Sequence, residues 1–401
     1  MLLINYTTGY AGTGKSHALL ELIATLPLET VVIAPTHKAL HRLTSKVGKS
    51  HVEFKTIHSL LGWIPRINEE ATTIGGISST VRLDKPLESY KHIVIDEAGM
   101  MSEDMLYDLT SKIEELLDGT ENKLTLHLFL DPYQLLPVKG RQIQVDENTT
   151  THLTTQHRGE SPDVVALFTK FVDFIESGGK TKDLTTPESE NVLHINREQL
   201  VAEFKEGDRV LAYTNNCVGG YNEVIAKHLG YDSMEGREVQ IGNFTELIVP
   251  TFVEPTYEEL YALWDDRILQ MQDNRMNSKF VQSSLEALLK HKEIKFVDIG
   301  EKVLPVILGV GKAHRLRQEA SKKALGNKKA FKEVYTLGRA YTMDYPFATT
   351  VHKSQGSEFG RVMIDKADIM KSIMNGYYMN YARLMYVALS RAKNKVYLRI
   401  H

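Results

Sequence analysis

A single cysteine, Cys217, stands in the 401 residues. That excludes an intrachain disulfide framework and any metal site built on clustered thiolates. No apolar run reaches the ~18 residues that cross a bilayer as a helix, so no transmembrane segment is expected. Met1-Leu2-Leu3-Ile4-Asn5 lacks a basic region and a small-residue cleavage site, and no secretory signal is expected. Internal repeats and low-complexity tracts are missing as well. An excess of charge of either sign is missing too, with a formal net charge of -3. The total says little about nucleic-acid binding, which needs positive charge along one groove only. These absences fit a cytoplasmic protein in a reducing compartment.

What is present is an ordinary globular composition, 42% hydrophobic and 25% charged, long enough for two or three domains. Within the first 160 residues, Leu2–Tyr6, Thr30–Ala34, His92–Ile95 and Leu124–Leu130 alternate with helical stretches. That is the pattern of parallel strands in an α/β sheet. A polar interruption at 63–90, containing Ile74-Gly75-Gly76-Ile77, reads as a small hairpin-like insertion. Ser161-Pro162-Asp163 opens a helix with a capping residue, Pro at the first position and an acid in the first turn; Gly178-Gly179 closes it.

A second α/β pattern starts with strand-like Val192–Ile195 and Arg209–Tyr213 and helical Val218–Leu229. It resumes at Ala348–Val351, Val362–Asp365, Arg383–Ala392 and Val396–Ile400. Between these parts, 233–340 differs in character. It holds strand-like Glu246–Val253, a capping box at Thr256-Tyr257-Glu258-Glu259, and β-type Lys302–Leu308. A basic segment, 312–332, carries Lys312, Arg315, Arg317, Lys322, Lys323, Lys328, Lys329 and Lys332 against Glu319. A solvated helix and a phosphate-contacting face are both open readings of it. The expected division is 1–62 with 91–160, an insertion at 63–90, 161–232 with 341–401, and an insertion at 233–340.

Gly9-Tyr10-Ala11-Gly12-Thr13-Gly14-Lys15-Ser16 matches G-x-x-x-x-G-K-[ST] between a strand and a helix. Glycines let successive N–H groups turn toward phosphates, and the helix dipole adds attraction. Lys15 is expected to reach the β- and γ-phosphates of ATP, and Ser16 to hold Mg²⁺. The loop is not G-x-G-x-x-G, so a Rossmann oxidoreductase is excluded. Asp96 and Glu97 end an apolar strand, at the edge where ligands sit in open α/β sheets. Asp96 would complete the Mg²⁺ shell and Glu97 would orient the attacking water. Gln134, after another strand, reads either as a γ-phosphate sensor or as part of an Asp-Pro turn. Arg158 and Arg391 are candidates for stabilising the transferring phosphoryl group.

Read together, these phrases resemble superfamily 1 helicases. Ala34-Pro35-Thr36-His37-Lys38-Ala39 and Thr56-Ile57-His58-Ser59-Leu60-Leu61-Gly62 are similar to the first two nucleic-acid-contacting motifs. Asp96-Glu97-Ala98, Asp131–Pro137, Gln156-His157-Arg158, Val210–Asn215, Ala348–Phe359 and Tyr386–Ala392 follow in order. The phrases at 56–62 and 348–359 most resemble the RecD/Dda branch, superfamily 1B.

The resemblance implies an α/β fold of two RecA-like domains with ATP between them and single-stranded DNA across their top. It implies 5′ to 3′ movement, duplex unwinding and a monomer. Arg158 and Arg391 would close over the γ-phosphate, with Gly356 and Glu358 nearby, and Gly9, Gly12, Thr13 and Gly14 would cradle the nucleotide. Thr36, His37, Thr56, His58, Thr350, His352 and Lys353 would grip DNA backbone. The 63–90 insertion would be a pin at the duplex junction, and 233–340 an SH3-like barrel with a helical projection. A single-strand-binding, replication or recombination protein is an implied partner, and a phage-encoded chain would act in the host cytoplasm.

Two departures stand out. The loop starts at residue 9, without the family's preceding adenine-reading glutamine, which leaves base selectivity open. The third motif reads Leu130-Asp131 and Leu135-Leu136-Pro137, where the family has Gly-Asp and a tighter Leu-Pro. A translocase that unwinds poorly, an RNA track, and a binding protein with a dead nucleotide site are the rival readings.

Overall fold

The structure, a computed structural model, describes residues 1–34, 37–47, 52–61, 63–67, 73–77, 87–137, 140–157, 161–180, 183–242, 247–260, 278–300, 303–324, 331–374 and 376–400. The first part of the chain holds strands β1 (Leu2–Gly9), β2 (Thr30–Ala34), β3 (Glu53–Thr56), β4 (Trp63–Ile67), β5 (Thr73–Ile77), β6 (His92–Ile95), β7 (Leu124–Leu130) and β8 (Thr150–Leu153). Six form a parallel sheet in the order β3-β2-β6-β7-β1-β8, while β4 and β5 pair antiparallel as a separate hairpin.

All of β2 is buried, as expected when helices cover both faces of a parallel sheet. Its side chains alternate between two cores. Val31 and Ile33 join Ile93, Ile95 and Leu128 against the helix Glu103–Leu117; Val32 and Ala34 join Val94 and Phe129 against Leu19 and Ile23 of the helix Lys15–Thr25. This two-residue period fixes the register, since a one-residue slip would exchange the two cores.

The second part holds β9 (Val192–Ile195), β10 (Arg209–Ala212), β11 (Gln240–Ile241), β12 (Thr251–Val253), β13 (Lys295–Asp298), β14 (Val303–Leu308), β15 (Tyr341–Asp344), β16 (Ala348–Thr350), β17 (Phe359–Asp365) and β18 (Ala392–Arg399). A second parallel sheet has the order β16-β10-β17-β18-β9. The helices Pro162–Glu176 and Met379–Leu389 pack together in the core on one face; the helix Asn215–His228 lies in the core on the other. The third sheet, β11-β15-β14-β13-β12, is antiparallel except where β14 meets β15, with β11 and β12 at opposite edges.

Local signals fare unevenly. The capping box at Thr256 and Glu259 is made in both directions, at 2.8 and 3.2 Å. Gly178 and Gly179 take left-handed φ of 64° and 82°, and Gly179 N–H returns to the Phe174 carbonyl at 2.9 Å. Ser161 does not cap its helix; its hydroxyl donates to the Asn394 carbonyl instead. Of the strand anticipated over Glu246–Val253, Glu246 lies outside the described residues and the rest is regular only from Thr251, with Ile248 bridging to Val239. In the basic segment, Arg317 turns inward and donates to the carbonyls of Leu337 and Ala340 at 3.2 and 2.7 Å, so it is structural. Lys328 and Lys329 lie outside the described residues. Among the described residues, no helix is long and apolar enough to cross a membrane.

Two histidines give the fold a pH dependence. His92 at the start of β6 and His127 in β7 stack at 5.5 Å, with ring nitrogens 3.2 Å apart. Burial, then the charge of His92, pushes His127 down to about 4. The unfolded chain, titrating near ~6.5, therefore binds more protons than the folded one between these values. Stability from this site is complete above the unfolded value and is lost as pH falls through that window. His127→Gln is expected to flatten the fall in urea midpoint between roughly pH 7 and pH 4.5; an unchanged slope would count against the pair.

Candidate nucleotide and nucleic-acid site

Three loops leave the carboxyl edge of the first sheet side by side, because β1, β6 and β7 run parallel. Gly9 ends β1, Asp96 follows β6 and Asp131 follows β7. A Cβ on Gly9 would lie 2.3 Å from Thr13 Oγ1 and 2.7 Å from the Leu153 carbonyl, so the loop closes only over glycine. Gly12 and Gly14 have φ of 88° and 86°, and Thr13 Oγ1 donates to the Tyr10 carbonyl at 2.9 Å. The loop thus curls at the start of the helix Lys15–Thr25, the geometry that collects N–H groups around a phosphate.

Lys15 Nζ turns back into the loop. It donates to the carbonyls of Gly9 and Tyr10 at 2.6 and 2.9 Å and lies 3.5 Å from Asp131 Oδ2. Asp96 is 5% exposed, held at the edge by its N–H to the Ile33 carbonyl at 2.9 Å. Glu97 has φ 51°, the left-handed value that no other non-glycine among the described residues takes. Such strain costs ~1–3 kcal/mol and persists only where surrounding structure imposes it.

The second sheet's domain faces this edge. Gln355 Nε2 donates to Gln134 Oε1 at 3.3 Å. Arg383, from the helix Met379–Leu389, donates to the carbonyls of Pro132 and Gln134, both at 2.7 Å. Tyr386, one turn further along, is fully buried. Its hydroxyl donates to Asp131 Oδ2 at 2.6 Å and accepts from Ala11 N–H at 2.7 Å. Arg391 is 4% exposed and donates to the carbonyls of Val387 and Ser357 and to Ser390 Oγ, at 3.1, 3.2 and 2.9 Å.

Gly356 has φ 72°, and Glu358 lies 3.5 Å from Lys393 Nζ. Gln156 Nε2 donates to the Ala11 carbonyl and His157 N–H to the Gly12 carbonyl, both at 2.9 Å, so this phrase lies on the phosphate loop. Arg158, which follows it, lies outside the described residues, as does Thr36. A cavity of about 590 Å³ opens beside Gly9 and Tyr10, lined also by Tyr133, His152, Glu176 and Arg383. Lys15, Asp96, Glu97 and Arg391 do not line it.

Of the expected nucleic-acid contacts, Thr56 and Thr350 cap short helices, accepting from Ser59 N–H at 3.2 Å and Lys353 N–H at 3.3 Å. His352 and Lys353 are exposed beside Thr350, with the His352 ring 6.0 Å from Tyr213. Partial desolvation pushes the pKa of both downward. For His37 and His58 only the backbone is described. Sequence reasoning missed the links from Arg383 and Tyr386. The available signal was Arg383 itself, the one charged side chain in the helical phrase Met379–Leu389.

Two parallel sheets, one with a phosphate loop and an acidic pair on its carboxyl edge and the other packed against that edge, define a P-loop protein of two RecA-like domains. Residues 4–140 match the family model of an AAA domain, and residues 345–399 match that of the UvrD-like helicase C-terminal domain. The two matches fall one on each parallel sheet's domain, in the order of the helicase motifs read from the sequence.

A curated relative, an uncharacterised protein of Acanthamoeba polyphaga mimivirus, is 28% identical over 152 residues, covering 34% of this chain and only 29% of that protein. Among solved structures, a Pif1 helicase from Bacteroides in complex with ADP-AlF3 and ssDNA is similar at 16% identity, with TM-score 0.43 and coverage of 99% of this chain and 88% of that one. The Pif1 helicase from Candida albicans is similar at 17% identity, with TM-score 0.46 and coverage of 100% and 92%.

Proposed function

We propose that this chain is an ATP-driven motor that moves 5′ to 3′ along single-stranded DNA and separates duplex ahead of it. The observation that carries the reading is the phosphate loop on the edge of one parallel sheet, faced by a second sheet's domain bearing Gln355 and Arg391. The loop suits a nucleotide's phosphates: Gly12 and Gly14 take the left-handed φ that curls the backbone at the start of a helix, and the Lys15 ammonium lies within the curl. Bound Mg²⁺ would supply charge neutralisation on the phosphates, held by Ser16 and Asp96.

In this reading Lys15 leaves the Gly9 and Tyr10 carbonyls to meet the β- and γ-phosphates. Glu97 orients the attacking water and accepts its proton. Gln134, already bonded across the cleft to Gln355, reports γ-phosphate occupancy to the second domain. Arg391, and Arg158 from the first, stabilise the transferring phosphoryl group. Gly356 and Glu358 line the far side. Closure and release of the domains then alternate the grip on the strand.

The grip itself falls to exposed His352 and Lys353, with Thr36, His37 and His58. Thr56 and Thr350 shape the turns that present them. Such groups hold backbone without reading sequence.

The test is ATP-driven separation of two short duplexes, one with a 5′ and one with a 3′ single-stranded tail, with Lys15→Ala as blank. Separation of the 5′-tailed duplex alone is expected. Separation of the 3′-tailed duplex alone would overturn the direction while keeping the motor. Stimulated hydrolysis with neither duplex opened would leave a translocase.

A further inference from the structure

Buried charge at the contact between the two domains has a consequence for the nucleotide site. Asp131 Oδ2 faces two partners, the Tyr386 hydroxyl at 2.6 Å and the Lys15 ammonium at 3.5 Å, while Oδ1 accepts from Tyr133 N–H at 3.0 Å. The carboxylate side chain is fully buried and that of Lys15 is 16% exposed, so the attraction between them is only weakly screened. Incoming phosphates must therefore win Lys15 from Asp131. A hydroxyl that donates to the same oxygen draws off part of its charge and occupies one of its lone pairs, which loosens its hold on the ammonium.

Tyr386 comes from the other domain, and its ring is fixed in that domain's core, 5.9 Å from Phe168 and edge-on to it. Its hydroxyl therefore reaches Asp131 only while the helix Met379–Leu389 is seated on the loop. Resting on the reading of the loop as a nucleotide site, we propose that Tyr386 is a positioning residue for Lys15. By satisfying Asp131 from across the cleft, it frees the ammonium for phosphates, so that seating of the second domain sets nucleotide affinity before any nucleic acid binds. Withdrawal of that helix would return Lys15 to Asp131 and favour release.

The proposal assigns opposite signs to two isosteric changes. Tyr386→Phe keeps the packing and strengthens Asp131's hold on Lys15, so the dissociation constant for a fluorescent ATP analogue, without nucleic acid, is expected to rise by about tenfold. Asp131→Asn removes the competing charge and is expected to tighten binding by about threefold or more. In the Asp131→Asn background, Tyr386→Phe should then lose most of its effect, because it acts through a charge that is gone. Saturating kcat should change less than KM in all three.

An equal Tyr386→Phe effect in both backgrounds would overturn the proposal, since a route through Ala11 N–H or through packing does not need the Asp131 charge. If Tyr386→Phe fails to fold, Asp131→Asn alone decides, and unchanged or weaker binding by that variant overturns the proposal. Failure of the nucleotide-site reading is distinguishable, because the wild-type chain would then bind the analogue no better than Lys15→Ala.

Discussion

Lys15→Ala is expected to lower nucleic-acid-stimulated ATP hydrolysis by at least about a thousandfold while leaving the fold intact. The ammonium is the charge nearest the centre of the curled loop, bonded to the Gly9 and Tyr10 carbonyls and mostly shielded from solvent. Its removal deletes a full positive charge where the phosphates converge, in a place where water cannot replace it. Stability should change little, because Asp131 keeps Tyr386 and the Tyr133 N–H as partners. Phosphate release and a thermal melt measured on the same preparation check this. Activity within about tenfold of wild type would show that the loop's lysine does not meet the phosphates.

Arg391→Ala is expected to reduce turnover by about a thousandfold while nucleotide affinity stays within about fivefold. The guanidinium anchors three acceptors at the end of its helix, including the Ser357 carbonyl of the 348–359 segment. That anchoring fixes the fork just past the helix whose Tyr386 reaches the phosphate loop. Arg391→Lys should not rescue, since a point charge cannot reproduce the planar fork. A purely structural role predicts another pattern: a lower melting temperature, with activity lost in proportion to folded protein and partly restored by lysine. Single-turnover hydrolysis beside a melt separates the two.

The phosphate loop was legible in the sequence because everything it needs is local. Glycines that must bend, a lysine that must reach and a helix that must start all fall within eight consecutive residues. The sheets were legible for a similar reason: β2 and β6 are short apolar runs bounded by polar turns, buried on both faces. The capping box at Thr256 and the glycine stop at 178–179 are likewise closed by bonds a few residues apart.

What the sequence hid is non-local. Tyr386 meets Ala11 across 375 positions and Asp131 across 255, and no spacing rule announces such a pair. Ser161 fails as a cap for the same reason, since the Asn394 carbonyl, 233 positions away, competes for its hydroxyl. Thr56 and Thr350 carry a second task that their motif phrases do not announce. Each accepts the N–H three residues on at the start of a short helix, while its hydroxyl keeps a proton to donate.

The most direct test of the central claim is ATP hydrolysis by the full chain with and without single-stranded DNA, using Lys15→Ala as blank. The account predicts a low basal rate that rises by about tenfold or more with single-stranded DNA and vanishes in the variant. A rate that is the same in the variant, or that no single strand of DNA or RNA raises, would contradict a nucleic-acid motor.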